Sequence, residues 1–344
     1  MNELTLDQST TRAETEVRAP SAENGAKTLP NPGCGFRVCV IIPTKNRAAD
    51  LVRAVRSVLE QTVAPCSIVI VDQSRDGESQ ERIRSEIDKA KRESGCLWRL
   101  TYILAPEITG SATARNRAMQ VADGDIWLFL DDDVVLEQDF IEQIIQSYRD
   151  NRDAVGISGI ITNQPRLSVM FSLWTKTFKR GPFHDERQPI YWNAERLRNS
   201  GALPVKRFGG GLMSFRSNAV RGKYFDTNLS GVSDGEDVDF CARLGADTRL
   251  LIAPRARLVH NHSPSERLQD HWLRREVRGN FFIYKKNWNR ALGNRCCYAW
   301  LFIGFTLAAG YASVRRLSWD PWRALIKGVS EANGAVVKSR PKGR

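Results

Sequence analysis

Asp125 to Val135 reads DIWLFLDDDVV, in which five apolar residues run directly into three consecutive carboxylates. A short apolar run bounded by charged residues is typical of a strand that is buried on both faces of a parallel sheet. Open α/β sheets bind ligands at the carboxyl ends of their strands, which is where Asp131, Asp132 and Asp133 lie. A bound Mg²⁺ or Mn²⁺ would offset the repulsion among these charges, because both ions prefer carboxylate oxygens. A polar turn in which Asp133 caps the next helix is the alternative interpretation.

The residues around this stretch alternate between apolar strands and amphipathic helices. Further buried strands are predicted at three places, 37–42, 67–71 and 100–104. Pro43 is expected to end the first of them. Parallel strands joined through helices by short links form right-handed βαβ units. We therefore predict an α/β fold, with a Rossmann-like, mostly parallel sheet beginning in residues 37–150.

Glycine-rich phosphate-binding motifs are missing after the first predicted strand. Neither G-x-G-x-x-G nor G-x-x-x-x-G-K-[ST] occurs, which argues against a nicotinamide-dependent dehydrogenase and a P-loop enzyme. Asp72 ends the second strand, at the same sheet edge as the acidic triplet, where an acid often holds a ribose or a base. Its alternative role is to open the polar turn at 72–77.

The positive charge of the chain is concentrated at its C-terminal end. The net charge is +12, with 51 Lys and Arg against 39 Asp and Glu. Residues 271–344 hold 15 of the basic residues and three of the acidic ones, so the remainder of the chain is balanced. Both a nucleic-acid binder and a protein on an anionic membrane have such a distribution.

The N-terminal segment differs in composition from the remainder. Residues 1–35 are polar and lack both hydrophobic periodicity and the apolar core of a signal peptide, so we predict a disordered segment of an unexported protein. Seven cysteines without a Cys-x-x-Cys pair argue against a disulfide framework or a zinc site. We expect two further regions, 36–150 and 151–270, followed by a basic helical region at 271–344.

Five motifs resemble those of the family 2 glycosyltransferases, which have the GT-A fold, and they occur in that family's order and spacing. They are VIIPTKNR at 40–47, IVD at 70–72, the segment 110–116 that ends in ARN, GDIWLFLDDD at 124–133 and GED at 235–237. Each motif is weak alone, but five in order form a specific pattern. The resemblance covers about two thirds of the chain.

The resemblance implies roles on the donor side of a sugar-transfer site. Pro43, Thr44 and Arg47 would line the nucleotide pocket, and Asp72 would hold the base. Arg115 and Asn116 would reach the sugar or the diphosphate. The acidic triplet would be the DxD motif, with Asp131 and Asp132 toward the nucleotide. Asp133, together with Asp131, would bind a divalent metal, Mn²⁺ or Mg²⁺, that neutralises the leaving diphosphate.

The second half of the chain would form the acceptor side. Residues 231–244 predict a helix that Ser233 and Glu236 open as a capping box, which leaves Asp237 without a structural task. The resemblance makes Asp237 the general base, in a candidate catalytic pair with Glu236, and the transfer inverting. The aromatic residues of 166–208 would contact sugar or lipid, or form the core of a small subdomain.

Three glycines and two histidines complete the candidate site. Gly209-Gly210-Gly211 would let the backbone approach a ligand closely, or form a flexible bend. Two short strands are predicted at 250–252 and 257–259, and His260 and His262 follow them. Either histidine would complete the metal site. His260 is the better candidate by its position.

A run of 19 uncharged residues, Cys296 to Val314, is flanked by arginines and tryptophans. We expect a helix, or a hairpin with 322–329, that lies in the membrane surface. A membrane span and a soluble helix packed on the catalytic domain are the alternatives. Residues 296–330 would thus place the protein peripherally or monotopically on the cytoplasmic face of the inner membrane.

The predicted function is the transfer of one sugar from a nucleotide diphosphate-sugar to an acceptor hydroxyl, in the synthesis of bacterial cell-surface glycans. The acceptor would be a glycan, or a lipid-linked one. The Gln-x-x-Arg-Trp motif of processive relatives is missing. A metal-dependent nucleotidyltransferase and a non-catalytic nucleic-acid or membrane binder are the alternatives. No nucleic-acid partner is expected, because the basic C-terminal region is otherwise apolar and lacks the character of a surface that reads bases.

Overall fold

The computed structural model describes residues 15–16, 35–94, 98–229, 235–261, 272–288 and 291–339. Its strands are β1 (Thr15–Glu16), β2 (Val38–Thr44), β3 (Ser67–Asp72), β4 (Arg99–Leu104), β5 (Ile126–Leu130), β6 (Val134–Leu136), β7 (Gly156–Ile161), β8 (Leu203–Val205), β9 (Leu212–Arg216) and β10 (Leu250–His260). Its α-helices are α1 (Ala48–Leu59), α2 (Glu78–Ser94), α3 (Ser111–Val121), α4 (Phe140–Asp150), α5 (Val169–Phe178), α6 (Arg187–Trp192), α7 (Ala194–Leu197), α8 (Ser217–Val220), α9 (Glu236–Leu244), α10 (Trp272–Asn287), α11 (Leu292–Arg316) and α12 (Asp320–Ser339).

The first half of the chain forms the parallel part of the sheet. Strands β4, β3, β2 and β5 lie side by side in this order, all parallel, so the predicted α/β fold class is confirmed. β1 is paired antiparallel with β4. Apart from β1 and Gly35, the predicted disordered segment 1–35 lies outside the described residues, so the disorder stays a prediction.

Pro43 does not end the first strand, contrary to the prediction. β2 continues to Thr44, and its pairing with β3 places Pro43 opposite Val71. β5 pairs with β2 only as far as Ile41. The proline therefore lies where the second neighbouring strand has already ended, and its missing N–H costs no ladder hydrogen bond there.

The second half of the chain extends the sheet with mixed pairing. β9 is antiparallel to both β5 and β7, and β10 is parallel to β7 and antiparallel to β6 and β8. The two strands predicted around 250–259 are in fact one strand, β10. Its register shifts between Ile252 and Arg257, so a bulge accommodates Pro254 without ending the strand.

Helices cover both faces of the sheet. One buried core packs α1 and α4 against one face, through residues such as Leu51, Val55 and Ile144. The other core packs α3 and α9 against the opposite face, around Trp127 and Phe240. The carboxyl ends of β2, β3 and β5 lie side by side at one edge of the sheet, where open α/β sheets bind ligands.

A third core joins the C-terminal helices to residues 166–208, the aromatic insertion. Leu273, Val277 and Phe281 of α10 pack with Leu301 and Phe305 of α11, together with residues of α12. The indole Nε1 of Trp174 in α5 donates to the Gly304 carbonyl at 2.9 Å. A Cβ at Gly304 would lie 2.4 Å from the Phe178 ring, so α5 needs glycine there to approach α11. The insertion aromatics thus form part of a subdomain core.

Candidate active site

The acidic triplet and one histidine converge at the carboxyl end of β5. β6 begins at Val134, directly after the triplet, and pairs with β10 so that His260 lies opposite Val134. The His260 Nε2 atom is 2.9 Å from Asp133 Oδ1. The helix-capping alternative for Asp133 is wrong, because a strand follows it and Asp139 precedes α4.

Asp131, Asp133 and His260 can hold a metal ion together. One ligand atom of each residue lies within 4.8 Å of the others. In the described part of the chain this is the one such group of His, Cys, Asp and Glu side chains. Two carboxylates and an imidazole suit Mn²⁺, and the partly exposed Asp131 leaves the group accessible to a ligand. The donor set therefore fits a divalent cation. The other candidate ligand, His262, lies outside the described residues.

Asp132 contacts the end of β2 and the residue that precedes α1. Its carboxylate accepts hydrogen bonds from Thr44 Oγ1 at 2.7 Å and from Arg47 Nη1 at 3.1 Å. Burial raises the pKa of Asp132 to about 6, against the opposing effects of Thr44 and Arg47. Arg47 also reaches Asp133 Oδ2 at 3.4 Å. These hydrogen bonds join Thr44 and Arg47, which are predicted to line the nucleotide pocket, to the acidic triplet.

Arg115 links the two halves of the site. This buried guanidinium donates to Glu236 Oε1 at 3.0 Å and to Asp131 Oδ1 at 3.2 Å. Glu236 also accepts from Ser111 Oγ at 2.8 Å. The capping-box prediction for Glu236 is wrong, since Gly235 in the left-handed conformation (φ 91°) precedes α9 and Glu236 binds side chains instead. Ser233, the other half of the predicted box, lies outside the described residues.

Gly209, Gly210 and Gly211 lie between Asp237 and the acidic triplet, and their close neighbours include candidate site residues. A Cβ at Gly209 would lie 3.2 Å from Arg187 Nη1 and 4.0 Å from Asp237 Oδ2. A Cβ at Gly211 would lie 2.8 Å from Asp131 Oδ2. Because two residues span at most about 7 Å, the triplet and Asp237 lie within one substrate length of each other. The three glycines predicted a close approach of the backbone, and only the structure identifies the neighbouring side chains.

Gly211→Ala is expected to weaken Mn²⁺ binding about tenfold or more without unfolding the protein. The added methyl group would displace Asp131, and a change in the groups that orient a metal ligand typically costs about 10–100-fold in affinity. Manganese titration by calorimetry measures the change. Gly201→Ala is the matched control, because nothing lies within 4 Å of a Cβ there. Equal affinities of the two variants would contradict the prediction.

Asp237 opens into a cavity on the acceptor side of the glycines. The cavity has a volume of about 760 Å³ and lies between the aromatic insertion, α9 and α10. The Asp237 carboxylate accepts a hydrogen bond from the N–H of Val238 at 2.8 Å. Burial and the neighbouring Glu236 raise the pKa of Asp237 above its usual range. A carboxylate that binds protons more readily than usual suits a general base.

Two predicted contact residues have structural partners. Asp72 is fully buried, and its carboxylate accepts from the Ser74 N–H at 2.8 Å and from Tyr102 Oη at 2.5 Å. The Asn116 side chain donates to the Phe225 carbonyl and accepts from the Phe225 N–H. Asp72 thus forms the polar turn that was its alternative role. Contacts of both residues with a donor, and that of Pro43 in β2, stay predictions.

Sequence reasoning did not single out Arg187 and Arg207, which line the same cavity as Asp237. Arg187 forms a two-point ion pair with Asp185, with hydrogen bonds of 2.8 Å each. Both arginines lie in residues 166–208, where only the aromatic residues were predicted to contact a ligand. Their proximity to α9 follows only from the packing of the insertion.

Several solved structures have a similar fold. The mannosyltransferase PcManGT from Pyrobaculum calidifontis, solved with GDP-Man and Mn²⁺, aligns with a TM-score of 0.53 at 18% identity, over 88% of this chain and 86% of that one. S. aureus TarS 1–349 with UDP-GlcNAc aligns with a TM-score of 0.55 at 14% identity, over 87% and 81%. The architecture is therefore that of a GT-A glycosyltransferase.

Sequence comparisons give the family. Residues 39–207 match the model of glycosyl transferase family 2, and the chain belongs to that family. Glucosyl-dolichyl phosphate glucuronosyltransferase of Haloferax volcanii is 29% identical over 239 residues, which are 65% of this chain and 69% of that protein. Pre-mycofactocin glycosyltransferase of Mycobacterium tuberculosis is 27% identical over 70% of this chain and 45% of that longer protein. The chain is thus a glycosyltransferase.

Proposed function

We propose that the protein transfers a single sugar, with inversion, from a nucleotide diphosphate-sugar to an acceptor hydroxyl. The observation that carries this proposal is the placement of two groups along Gly209–Gly211. The acidic group of Asp131, Asp133 and His260 lies beside one end, and Asp237 lies beside the other. The predicted regions 36–150 and 151–270 would supply the donor side and the acceptor side of this one site.

On the donor side, the chain would hold the diphosphate of the leaving group. Asp131, Asp133 and His260 would bind a divalent cation, which supplies charge neutralisation to the departing nucleoside diphosphate. Arg115 keeps Asp131 in place through its hydrogen bond and is itself held by Glu236. Arg47, which is predicted to line the nucleotide pocket, holds Asp132 and Asp133 through hydrogen bonds. This arrangement is preorganised for negative charge that develops during the reaction.

On the acceptor side, Asp237 would remove the proton of the attacking hydroxyl. The acceptor oxygen forms a bond to the anomeric carbon while the bond from that carbon to the diphosphate oxygen breaks. The proton passes to the Asp237 carboxylate, and the nucleoside diphosphate leaves with the bonding electron pair. Attack from the face opposite to the leaving group inverts the anomeric configuration, and it requires one positioned base rather than a covalent nucleophile.

The names of the similar proteins support this assignment. Two of the similar structures contain GDP-Man and UDP-GlcNAc, which are both nucleotide diphosphate-sugars. A sequence relative acts on a glucosyl-dolichyl phosphate, which is a sugar linked to a lipid through phosphate. We propose the same donor class here and an acceptor that is a glycan or a lipid-linked glycan of the cell surface.

Calorimetry with nucleotides tests the proposed function. UDP, GDP and dTDP are titrated into the protein, each with and without Mn²⁺. Binding of one nucleotide that depends on Mn²⁺ is expected and would identify the donor's base. If none of the three binds under either condition, the proposed function is wrong.

The exposed face of α11 supports a location on a membrane surface. By length and composition this 25-residue helix is able to cross a membrane, and it is 22% buried over its apolar window. Its inner face packs through Leu301, Phe305 and Ala309. The large apolar residues of its outer face and of the following turn are exposed: Trp300, Phe302, Ile303, Leu307, Tyr311, Val314, Leu317 and Trp319. We propose that this one-sided helix lies in the cytoplasmic surface of the inner membrane.

Ile303→Gln combined with Leu307→Gln is expected to lower the binding of anionic phospholipid vesicles by about 100-fold. Each side chain would otherwise bury apolar surface worth about 1.5–3 kcal/mol in the membrane. Vesicle flotation measures the bound fraction. Leu104→Gln, at an exposed leucine on β4, is the matched control. Vesicle binding that is unchanged in the double variant would rule out α11 as the membrane contact.

A further inference from the structure

The cavity beside Asp237 contains more positive than negative charge. Its described lining includes the basic residues Arg166, Lys179, Arg187, Arg207 and Arg275 and the acidic residues Asp185, Asp237 and Glu276. Lys179 Nζ is paired with Glu276 at 2.7 Å, and Arg187 is paired with Asp185. Of the described lining residues, three arginines therefore face one remaining carboxylate, that of Asp237. An anion would balance this excess.

Two of these arginines have buried nitrogen atoms without a hydrogen-bond partner. The Nε atoms of Arg207 and Arg275 are inaccessible to solvent, and among the described residues neither has an acceptor. Arg207 otherwise donates from Nη2 to the Pro182 carbonyl at 2.8 Å. Buried polar groups in proteins nearly always have partners, so an unpaired donor in a ligand cavity indicates a missing acceptor. Burial lowers the pKa of Arg207, and the neighbouring Arg187 contributes.

Aromatic rings line the same cavity and connect it to the inner, buried face of α11. Phe171 and Trp272 meet edge to face, with ring centroids 5.8 Å apart, and both contribute to the wall. Phe171 also stacks on Trp174, which contacts Phe305 of α11. Rings of this kind suit the faces of sugars. The cavity thus combines the candidate base Asp237, aromatic rings that suit sugar faces and an unbalanced positive charge. Phe171 and Trp174 connect it to Phe305 of α11.

We propose that this cavity binds a phosphate group of the acceptor, to which the accepting sugar is attached. Arg207 and Arg275 would donate to the phosphate oxygens, and arginine is suited to this because its planar fork matches the geometry of phosphate. The accepting sugar would lie between the phosphate and Asp237. This inference rests on the proposed function for its acceptor site and deepens it by naming the chemical group that is recognised. A lipid phosphate and a soluble sugar phosphate share this chemistry.

Binding of matched phosphate and neutral probes tests the inference without any donor. In solution, the probes are glucose 1-phosphate and methyl glucoside. In neutral phosphatidylcholine vesicles, they are farnesyl phosphate and farnesol. The full chain is expected to prefer a phosphate probe over its neutral counterpart at least tenfold, and Arg207→Gln combined with Arg275→Gln is expected to abolish this preference. Binding is measured by calorimetry and by tryptophan fluorescence.

The matched control is Arg84→Gln combined with Arg92→Gln, two exposed arginines of α2. It is expected to keep the preference. Preference in both probe sets, or only in vesicles, supports phosphate recognition, and the second result assigns the phosphate to a lipid. No preference in the wild-type protein, or a preference that survives in the cavity variant, would overturn the inference.

Nucleotide binding in the same protein samples separates this inference from the proposed function. The cavity variant is expected to bind the nucleoside diphosphate with Mn²⁺ as tightly as the wild-type protein does, which also shows that it is folded. If it loses nucleotide and phosphate binding together, the arginines belong to the donor site and the inference is wrong. If the wild-type protein binds no nucleotide but prefers phosphate, the proposed function fails while the phosphate site stands.

Discussion

Asp133→Asn is expected to abolish Mn²⁺-dependent nucleotide binding and to lower the transfer rate by about 1,000-fold or more. Asp133 contacts both His260 and Arg47, and it is one of the three residues that can hold the cation. Loss of the cation removes several kcal/mol of charge stabilisation from the leaving diphosphate, and about 4 kcal/mol corresponds to 1,000-fold in rate. Calorimetry with the nucleotide that binds the wild-type protein, followed by a transfer assay, measures both effects.

Asparagine preserves the shape of the aspartate, so the variant tests its charge rather than the packing of a residue that is 4% exposed. Asp150→Asn at the exposed end of α4 is the matched control and is expected to behave as the wild-type protein. Thermal unfolding of both variants verifies that they are folded. Nucleotide binding by Asp133→Asn that still responds to Mn²⁺ would place the metal site elsewhere.

Asp237→Asn is expected to lower kcat by about 100- to 10,000-fold and to leave nucleotide binding unchanged. The asparagine cannot accept the proton of the acceptor hydroxyl, and a general base typically contributes a factor of this size. In the wild-type protein the base must be ionised, so the rate is expected to fall as the pH drops through its pKa. Burial and Glu236 raise that pKa, which places the fall at a higher pH than for an ordinary aspartate. The acidic limb is expected to disappear in Asp237→Asn.

Asp247→Asn, at an exposed position after α9, is the matched control for Asp237→Asn. Measurement of kcat against pH for the three proteins, together with nucleotide calorimetry, separates a base from a binding residue. If Asp237→Asn weakens nucleotide binding as strongly as it slows transfer, Asp237 belongs to the donor site. If its rate equals that of Asp247→Asn, the base is another residue.

Local sequence patterns were sufficient for the parallel half of the sheet. The strand predicted at Ile126–Leu130 has the same bounds in the structure. This strand is a continuous apolar run bounded by charged residues, and it is buried on both faces as that pattern predicts. The end of the first strand was predicted wrongly, because Pro43 was given too much weight. Pro43 lies within β2, where the pairing with β5 has already ended, and the two strands predicted around 250–259 are one strand with a register shift.

The site itself divides in the same way. The sequence alone determined that three carboxylates follow a buried strand, because the apolar run and the charges are adjacent in the chain. It also supplied Asp237 and His260 as candidates. Glu236 shows its limit, since the capping-box spacing was a local explanation for a residue whose partner, Arg115, is 121 positions away.

Only the tertiary structure decided which of these residues meet. The pairing of β6 with β10 brings His260 to Asp133, and the packing of α3 and α9 on the same face of the sheet brings Arg115 to Glu236. The excess of arginine beside Asp237 likewise arises only in the tertiary structure, where residues of 166–208 and of α10 line one cavity. Such contacts depend on the register of distant strands and on how helices pack. Local sequence patterns do not predict strand register or helix packing, because both are set by the burial of whole faces rather than by neighbouring residues.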